Sequence, residues 1–512
     1  MSASGVSPRQ ADAAVVDVGS NSVRLVMYRT DGRAIWTVYN EKILAGLGRH
    51  ISATGQLSPE GIVTTLIALT RFRALIDACR PAKIHAVATA AVRDAADGRA
   101  FCRRVEAETG LRLQVLSGAE EARFAALGVL AGSPQAEGLV GDLGGASLEL
   151  TRLAGAAPGP GVTLPLGPFA FEPPFDAGWV RTSVRRELAS IQEEFGAPTL
   201  NAVGGAWRNL ALLQMRYSAY PLGIIHQYEL SRTDALDAAR FIAQQSRGSL
   251  ERVDGISRRR VEGLPHAAAV LEGLITGLGV ERVVLSAYGL REGLLFDAMT
   301  SRVRGKDPLV AGCAAIGGRP QAAEFFGSAL EAWLAGAFAE LQPLFGDRDR
   351  VLLAAACRLA DFGAQLHPDH RADLVFEQIL RAPVAGVDHA ERVFLACAAF
   401  GRHTGSSLMP SADIVARLLS PERYQRARAM GAAIRLGCDL SGRSPELLNH
   451  ARLEFSPGAV ELQADERWEA TLLGEQIAKR ANTLAGLLES ELRIRPPSPS
   501  STAPIRRHVA AG

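Results

Sequence analysis

Hydrophobic and polar positions alternate between two periods along the first 300 or so residues of this chain. Ala13–Gly19 is a β-branched run that breaks at Gly-Ser-Asn-Ser. Arg24–Arg29 resumes strand character, and Ile35–Tyr39 reads as a third strand. Ser58-Pro59-Glu60 then opens a helical period that lasts to Ala78, with Ser58 placed to cap and Pro59 suited to the first turn. Ile84–Ala88 predicts a short strand, Gly98–Thr109 a helix and Leu111–Leu116 another strand. Hairpin strands followed by helix–strand alternation predict an α/β layer on a mixed sheet.

From Gly138 the pattern starts again as strand, glycine turn, strand. It continues through a Pro/Gly-rich loop at Ala154–Gly161, a helix near Ser183–Glu194 and a strand and glycine turn at Leu200–Gly205, and ends near Arg302. Beyond Pro308 strand signals thin out and Ala/Leu-rich helical periods dominate to Leu419. Ala451–Phe455 and Ala459–Gln463 then read as two short strands around a Ser-Pro-Gly turn, followed by a helix from Glu466 to Leu492. These shifts predict α/β domains at 11–135 and 136–302, a helical domain at 308–420, a small α+β module at 421–495 and a low-complexity, disordered tail at 496–512.

Composition narrows the class. A chain of 512 residues with 47% hydrophobic and 21% charged residues has ample material for several cores. Lys+Arg 56 against Asp+Glu 54 leaves a net charge of +2, so no global electrostatic case for nucleic acid or membrane arises. The six cysteines are scattered without a C-x-x-C, which argues against a disulfide framework or a cysteine-rich zinc site and fits a reducing compartment. With no apolar signal stretch at the N-terminus and no long apolar span, the expectation is a cytoplasmic protein.

A self-comparison is more informative. Asp17-Val18-Gly19-Ser20-Asn21-Ser22-Val23-Arg24-Leu25 aligns without gaps on Asp142-Leu143-Gly144-Gly145-Ala146-Ser147-Leu148-Glu149-Leu150, both D-x-G-x-x-S-x-x-L between apolar strands. A glycine after a strand lets an anion approach the backbone, and successive N–H groups in such a turn form an anion-binding concavity. An aspartate ending the strand can hold a divalent cation or its water shell against phosphate oxygens. Either loop alone could be an ordinary hairpin turn; matched loops in duplicated halves suggest a cleft that grips a phosphate chain. Gly204-Gly205, between a strand and a helix, is either a third phosphate turn or a plain tight turn.

Ser117 and Glu120 have capping-box spacing at the start of a further helix, which gives Glu120 a structural task. Glu121 lies one residue on, about 100° around the helix. It is either a dipole-favoured acid of the first turn or a base near the phosphate loops, as phosphoanhydride hydrolysis requires. Arg93, after a strand end, is either a solvated surface arginine or a phosphate-binding cation, and Arg258-Arg259-Arg260 either a solvated face or part of a track for a polyanion.

Taken together, these motifs resemble the exopolyphosphatase/guanosine pentaphosphate phosphatase (Ppx/GppA) family, which belongs to the actin-like, ribonuclease-H-like superfamily of duplicated α/β domains. The carriers are the two loops, Glu41-Lys42 with Gly46-Leu47-Gly48, Ala88-Thr89-Ala90-Ala91-Val92-Arg93, Ser117-Gly118-Ala119-Glu120-Glu121-Ala122, Gly204-Gly205, and Gly289-Leu290-Arg291-Glu292-Gly293-Leu294-Leu295. The resemblance implies Glu121 as the general base. It implies phosphate contacts from Gly19, Ser20, Asn21, Ser22, Arg24, Arg93, Gly144, Gly145, Ser147, Gly204 and Gly205, and places Asp17, Asp142 and Glu149 near Mg²⁺, or Mn²⁺ in its stead. It also implies a homodimer.

Two positions depart from the family pattern: Ala146 stands where a third glycine is common and Leu148 where a threonine is. A methyl at 146 would obstruct a positive φ and narrow the anion site. The helical domain resembles an HD-like domain, but Ala360 replaces the first histidine ahead of Asp361, with His367 and His370 following, so a structural rather than metal-binding role is expected. The leading expectation is Mg-dependent release of orthophosphate from the end of inorganic polyphosphate. The alternatives are hydrolysis of guanosine pentaphosphate (pppGpp) to ppGpp, an actin-like kinase, and a non-catalytic polyphosphate or alarmone sensor.

Overall fold

Two mixed sheets with the same strand order organise the first 300 or so residues. The computed structural model describes residues 11–49, 51–171, 175–250, 252, 261, 263–317 and 320–495. Arg258–Arg260 and the tail from 496 onward lie outside the described residues. The chain divides into two compact units, one of residues 1–312 with 383–389, the other of 313–382 with 390–512.

In the first unit, β1 (Ala13–Val18), β2 (Ser22–Asp31), β3 (Ala34–Leu44), β4 (Lys83–Ala88) and β5 (Gln114–Val115) form a sheet in the order β3-β2-β1-β4-β5. The second sheet comprises β6 (Leu139–Leu143), β7 (Leu148–Ala154), β8 (Ala157–Leu164), β9 (Thr199–Val203), β10 (Glu229–Ser231) and β11 (Arg282–Leu285), in the order β10-β11-β9-β6-β7-β8. In both, the first three strands are an antiparallel meander and the next joins the first in parallel. The registers coincide as well: Asp17 pairs with Arg24 and Val87, and Asp142 with Glu149 and Val203. The sequence repeat is therefore a repeat of backbone, and the fold is α/β.

Between the sheets runs the helix Gly118–Gly132, buried almost throughout from Glu121 onward. Such an all-round apolar surface marks an element enclosed on every side. Phe124 and Leu127 join the core of the first sheet (Val15, Val26, Val87), while Ala126, Val129 and Leu130 join that of the second (Val140, Leu153, Val203). Ser117 caps it through the predicted box with Glu120. Its last carbonyls are also satisfied: Ala131 O accepts from buried Arg33 at 2.8 Å, and Gly132 O accepts from Gly386 N at 2.7 Å and lies 3.2 Å from His226 Nε2. The helix Leu290–Asp297 crosses it where glycines permit, since a Cβ at Gly128 would lie 2.0 Å from Gly289 O and one at Gly293 1.8 Å from Phe124 O.

Several elements differ from expectation. The stretch read as a loop at Ala154–Gly161 is mostly β8, an edge strand, where the missing N–H groups of Pro158 and Pro160 remove no interior ladder bond. The strand at 111–116 contracts to the two exposed residues of β5. The helix near 183–194 is Ala177–Leu188, capped by Asp176, plus a turn at Gln192–Phe195.

The second unit contains the helices Pro320–Ala339, Arg348–Arg358, Arg371–Arg381, Pro421–Ser441 and Glu475–Leu487, with a small sheet of β12 (Ala451–Ser456), β13 (Ala459–Ala464) and β14 (Glu491–Arg495). The helix expected to reach Leu492 stops at Leu487, because Glu489 turns left-handed (φ 53°), and β14 follows. Among the described residues no helix is long and apolar enough to cross a membrane.

The glycine crossing has a measurable consequence. Gly128→Ala or Gly293→Ala forces main chains apart and should cost about 2–3 kcal/mol of stability, read as a lower midpoint in thermal or urea unfolding. An unchanged midpoint would show that the crossing relaxes freely.

Candidate active site

Strand pairing builds two equivalent turns. Gly19 N donates to Ser22 O at 3.0 Å and Gly144 N to Ser147 O at 2.9 Å. The turns abut, since a Cβ on Gly145 would come within 3.0 Å of Ser20 Cβ and 3.4 Å of Asn21 N. The amides of Ser20, Asn21, Gly145 and Ala146 have no hydrogen-bond partner among the described residues. They are the groups from which an anion-binding nest is made.

None of Gly19, Gly144 and Gly145 adopts positive φ, so their small size provides room, not left-handed backbone. Ala146 is not left-handed either, and its methyl imposes no strain there, contrary to the expectation from the family pattern. Gly204 does require glycine: φ is 111°, and a Cβ would lie 2.7 Å from Leu143 O and 3.4 Å from Asp142 Oδ1. It opens the helix Gly205–Tyr217 beside Asp142.

Glu121, freed from capping by Glu120, is 8% exposed. Arg93 Nη1 donates to its Oε2 at 3.0 Å and to Leu116 O at 3.3 Å, while Arg93 Nε donates to Asp94. Burial pushes the Glu121 carboxyl up to about 7; Arg93 opposes the shift, and Asp142 and Asp17 add to it. Glu149, 2% exposed, is raised well above the usual range by burial and then by Glu121, against a hydrogen bond from Ser147. Its Oε1 has no hydrogen-bond partner. Desolvation raises Asp142 to about 6, with Arg291 opposing and Asp17 reinforcing the shift. Glu121, Glu149, Asp142 and Asp17 thus sense one another's charge.

Opposite these acids lies a cationic group in which Arg24 is an expected phosphate contact, while Arg291 and Arg208 have no role predicted from the sequence. Arg291 Nη1 binds Asp17 Oδ2 at 2.7 Å, and Glu292 accepts from Tyr28 Oη at 2.6 Å and from Gly289 N at 3.0 Å. Arg208 donates to Ala287 O at 2.9 Å. Arg24 donates to Asn40, and burial, then the neighbouring Arg291 and Arg208, lower its pKa to about 10. Beyond Arg24 in the first loop, the sequence signal for this group was the Gly289–Leu295 motif, where Glu292 stands three residues after its turn glycine.

The predicted metal positions do not form a cage. Asp17 is engaged by Arg291, and among the described residues no group of three His, Cys, Asp or Glu side chains is arranged to hold an ion. The unpartnered Glu149 Oε1 and the raised pKa values of the buried Asp142 and Glu149 carboxyls nevertheless fit a divalent cation. Mg²⁺ commonly uses only one or two carboxylates, leaving its other positions to water and phosphate. In the helical unit, Asp361 pairs with Arg443 at 3.0 Å, and His403 Nε2 lies 3.0 Å from Phe362 O.

The buried acid makes a signed prediction. Because the folded Glu121 titrates near 7 and an unfolded glutamate near 4.5, its stabilising protonated form is fully present below about 4.5 and is lost as pH rises through 7. Glu121→Gln should match the wild type in stability at pH 4 and exceed it by roughly 2–3 kcal/mol at pH 8.5. Urea unfolding at the two pH values measures this, and equal stabilities at pH 8.5 would contradict the desolvation argument.

Comparison with known proteins shows the family. Residues 25–302 match the model of the Ppx/GppA phosphatase family, and 343–494 match "Exopolyphosphatase, C-terminal". Exopolyphosphatase 1 of Mycobacterium tuberculosis is 27% identical over 329 residues, covering 60% of this chain and 95% of that protein. The Mycobacterium leprae exopolyphosphatase 1 is 28% identical over 311 residues, covering 57% and 90%. A solved exopolyphosphatase from Cytophaga hutchinsonii shares the fold at a TM-score of 0.51 and 21% identity, over 56% of this chain and 97% of that one. With more than half its length matched by the family model, the chain belongs to the Ppx/GppA phosphatases and is a phosphoanhydride hydrolase.

Proposed function

We propose that the protein is an exopolyphosphatase that removes orthophosphate from the end of inorganic polyphosphate with Mg²⁺. The observation that carries this reading is the pair of abutting loops, Gly19–Ser22 and Gly144–Ser147, with unpartnered amides, and a desolvated glutamate that senses the charge of Asp17 and Asp142, the aspartates that precede those loops. The exopolyphosphatase names of the relatives, and of the C-terminal match, favour the polymer over pppGpp.

In this mechanism the loop amides, Ser20, Asn21 and Ser147 hold the terminal phosphoryl group, and Arg93 reaches its equatorial oxygens. Glu121 accepts a proton from a water as that water's oxygen bonds to phosphorus; the anhydride P–O bond breaks and its oxygen leaves with the shortened chain. Arg93 has a second effect: its hydrogen bond opposes the burial that would otherwise protonate Glu121. Asp142 and Glu149 would hold Mg²⁺, which supplies charge neutralisation for the phosphate oxygens. Gly204 leaves room for a phosphate beside Asp142. The four-part domain division and the homodimer belong to the same reading.

Phosphate release from long-chain polyphosphate and from pppGpp, measured in parallel, tests it. Release from polyphosphate should be faster, should stop on chelation of divalent ions, and should fall by about 10²–10⁴-fold in Glu121→Gln. The kcat/KM profile should drop on the acid side with a midpoint near 7, since the base must be ionised. Preference for pppGpp would reassign the substrate, and undiminished activity in Glu121→Gln would remove the base.

A further inference from the structure

In the second compact unit a cleft of about 550 Å³, counted with its open mouth, lies outside the catalytic machinery. Its construction starts from two glycines. A Cβ on Gly431 would stand 2.3 Å from Ala398 O and 2.9 Å from the carbonyl carbon of Gly401, so the helix ending at His403 and the helix Pro421–Ser441 meet main chain to main chain. On Pro421–Ser441, Arg428, Ala432 and Arg435 recur at i, i+4 and i+7, one stripe of the helix. On Glu475–Leu487, Arg480, Thr483 and Leu487 recur at i, i+3 and i+7. Both stripes line the cleft, and Thr404, Gly405 and Ser406 close its side. The Thr404 hydroxyl accepts from Ser406 N at 3.1 Å and the Ser406 hydroxyl from Leu408 N at 3.1 Å, so each keeps its O–H to donate.

The charge is unbalanced. Of the three guanidinium groups, only Arg480 has a carboxylate among the described residues, Asp439, at 2.8 Å. Arg428 lies 5.7 Å from the Tyr424 ring. Arg435 is half-buried and makes no hydrogen bond or ion pair among the described residues. Burial, then Arg480, press against its charge, Asp439 partly offsets them, and Arg402 adds to the repulsion. Half-buried, unpaired positive charge is costly, and a fold that retains two such groups, Arg428 and Arg435, beside the paired Arg480 around one hollow is shaped for an anion.

We propose that this cleft is a second anion site that binds a compact, multiply charged phosphate-type oxyanion, with Arg435 as its central ligand. The oxyanion is either a free diphosphate or the terminal phosphoryl group of a longer chain. The proposal is independent of the reading of the catalytic cleft, and either can fail alone.

Calorimetric titration of the full chain without divalent cations, at constant ionic strength, tests it with inorganic diphosphate and a short polyphosphate as probes. Binding should weaken at least tenfold in Arg435→Met, less in Arg435→Lys, and should persist in Arg93→Met, which alters only the catalytic cleft. Comparable affinity for the two probes would identify the free anion; at least tenfold tighter binding of polyphosphate would identify a chain end. Without ligand, Arg435→Met should melt above the wild type, because an uncompensated charge has gone. Should that variant not fold, Arg428→Met carries the same expectation for binding. Binding of neither probe, binding indifferent to Arg435 and Arg428, or binding abolished by Arg93→Met would overturn the proposal.

Discussion

One helix, Gly118–Gly132, must satisfy two sheets at once, and much of the first unit follows from that demand. Its sequence is nearly all small or apolar because every side meets protein. Alanines and Gly128 bring the helix Leu290–Asp297 to backbone contact, and that approach places Arg291 and Glu292 across from the phosphate-type loops. At the far end, Arg33 and the chain at Gly386 hold the last carbonyls. A helix fixed at both ends and on all faces holds its first turn still. Glu121, the base of the proposed mechanism, sits in that turn, and such a group must keep its position relative to its substrate.

Fixing an acid by burial has an electrostatic cost that the site does not avoid. Glu121, Glu149 and Asp142 all titrate above their ordinary range, for the shared reason of lost hydration and mutual repulsion. A chain selected for stability alone would place amides or apolar groups at these positions. The raised pKa of Glu121 also brings its proton affinity near that of the medium, the condition under which a carboxylate accepts a proton from water effectively at neutral pH. Excess negative charge is confined to the wall formed by β6, β7 and the first turn of the central helix. The cation that most directly offsets it there is Arg93, through Glu121.

The sequence made some of this legible because local rules determined it. The S-x-x-E box at Ser117 assigned Glu120 to capping and left Glu121 for another task, and the structure has that box. The gapless repeat around Asp17 and Asp142 showed duplication because its spacing reflects identical hairpin registers. Other features were hidden for physical reasons. Pro158 and Pro160 made β8 look like a loop, since composition cannot reveal that a strand lies at a sheet edge. Glu489 ends the last long helix in a left-handed conformation that its side chain does not advertise. Arg291 and Arg208 act through partners far away in sequence, Asp17 being 274 residues from Arg291, so no local pattern could pair them.

The duplication also shows how a cleft acquires polarity. Arg24 and Glu149 occupy equivalent positions, each directly across the ladder from the aspartate of its hairpin. Identical backbone therefore presents a cation on one side and an anion on the other. Arg24 is joined by Arg291 and Arg208, while Glu149 is joined by Glu121 and Asp142. On the proposed reading the cleft takes a phosphate chain end, which carries dense negative charge and also needs a base beside its terminal phosphorus. A symmetric cleft would serve one requirement at the expense of the other: two cationic walls would hold the anion but offer no base, and two acidic walls would repel it. Divergence at this pair of equivalent positions, on loops whose geometry stayed the same, contributes to the separation of positive from negative charge.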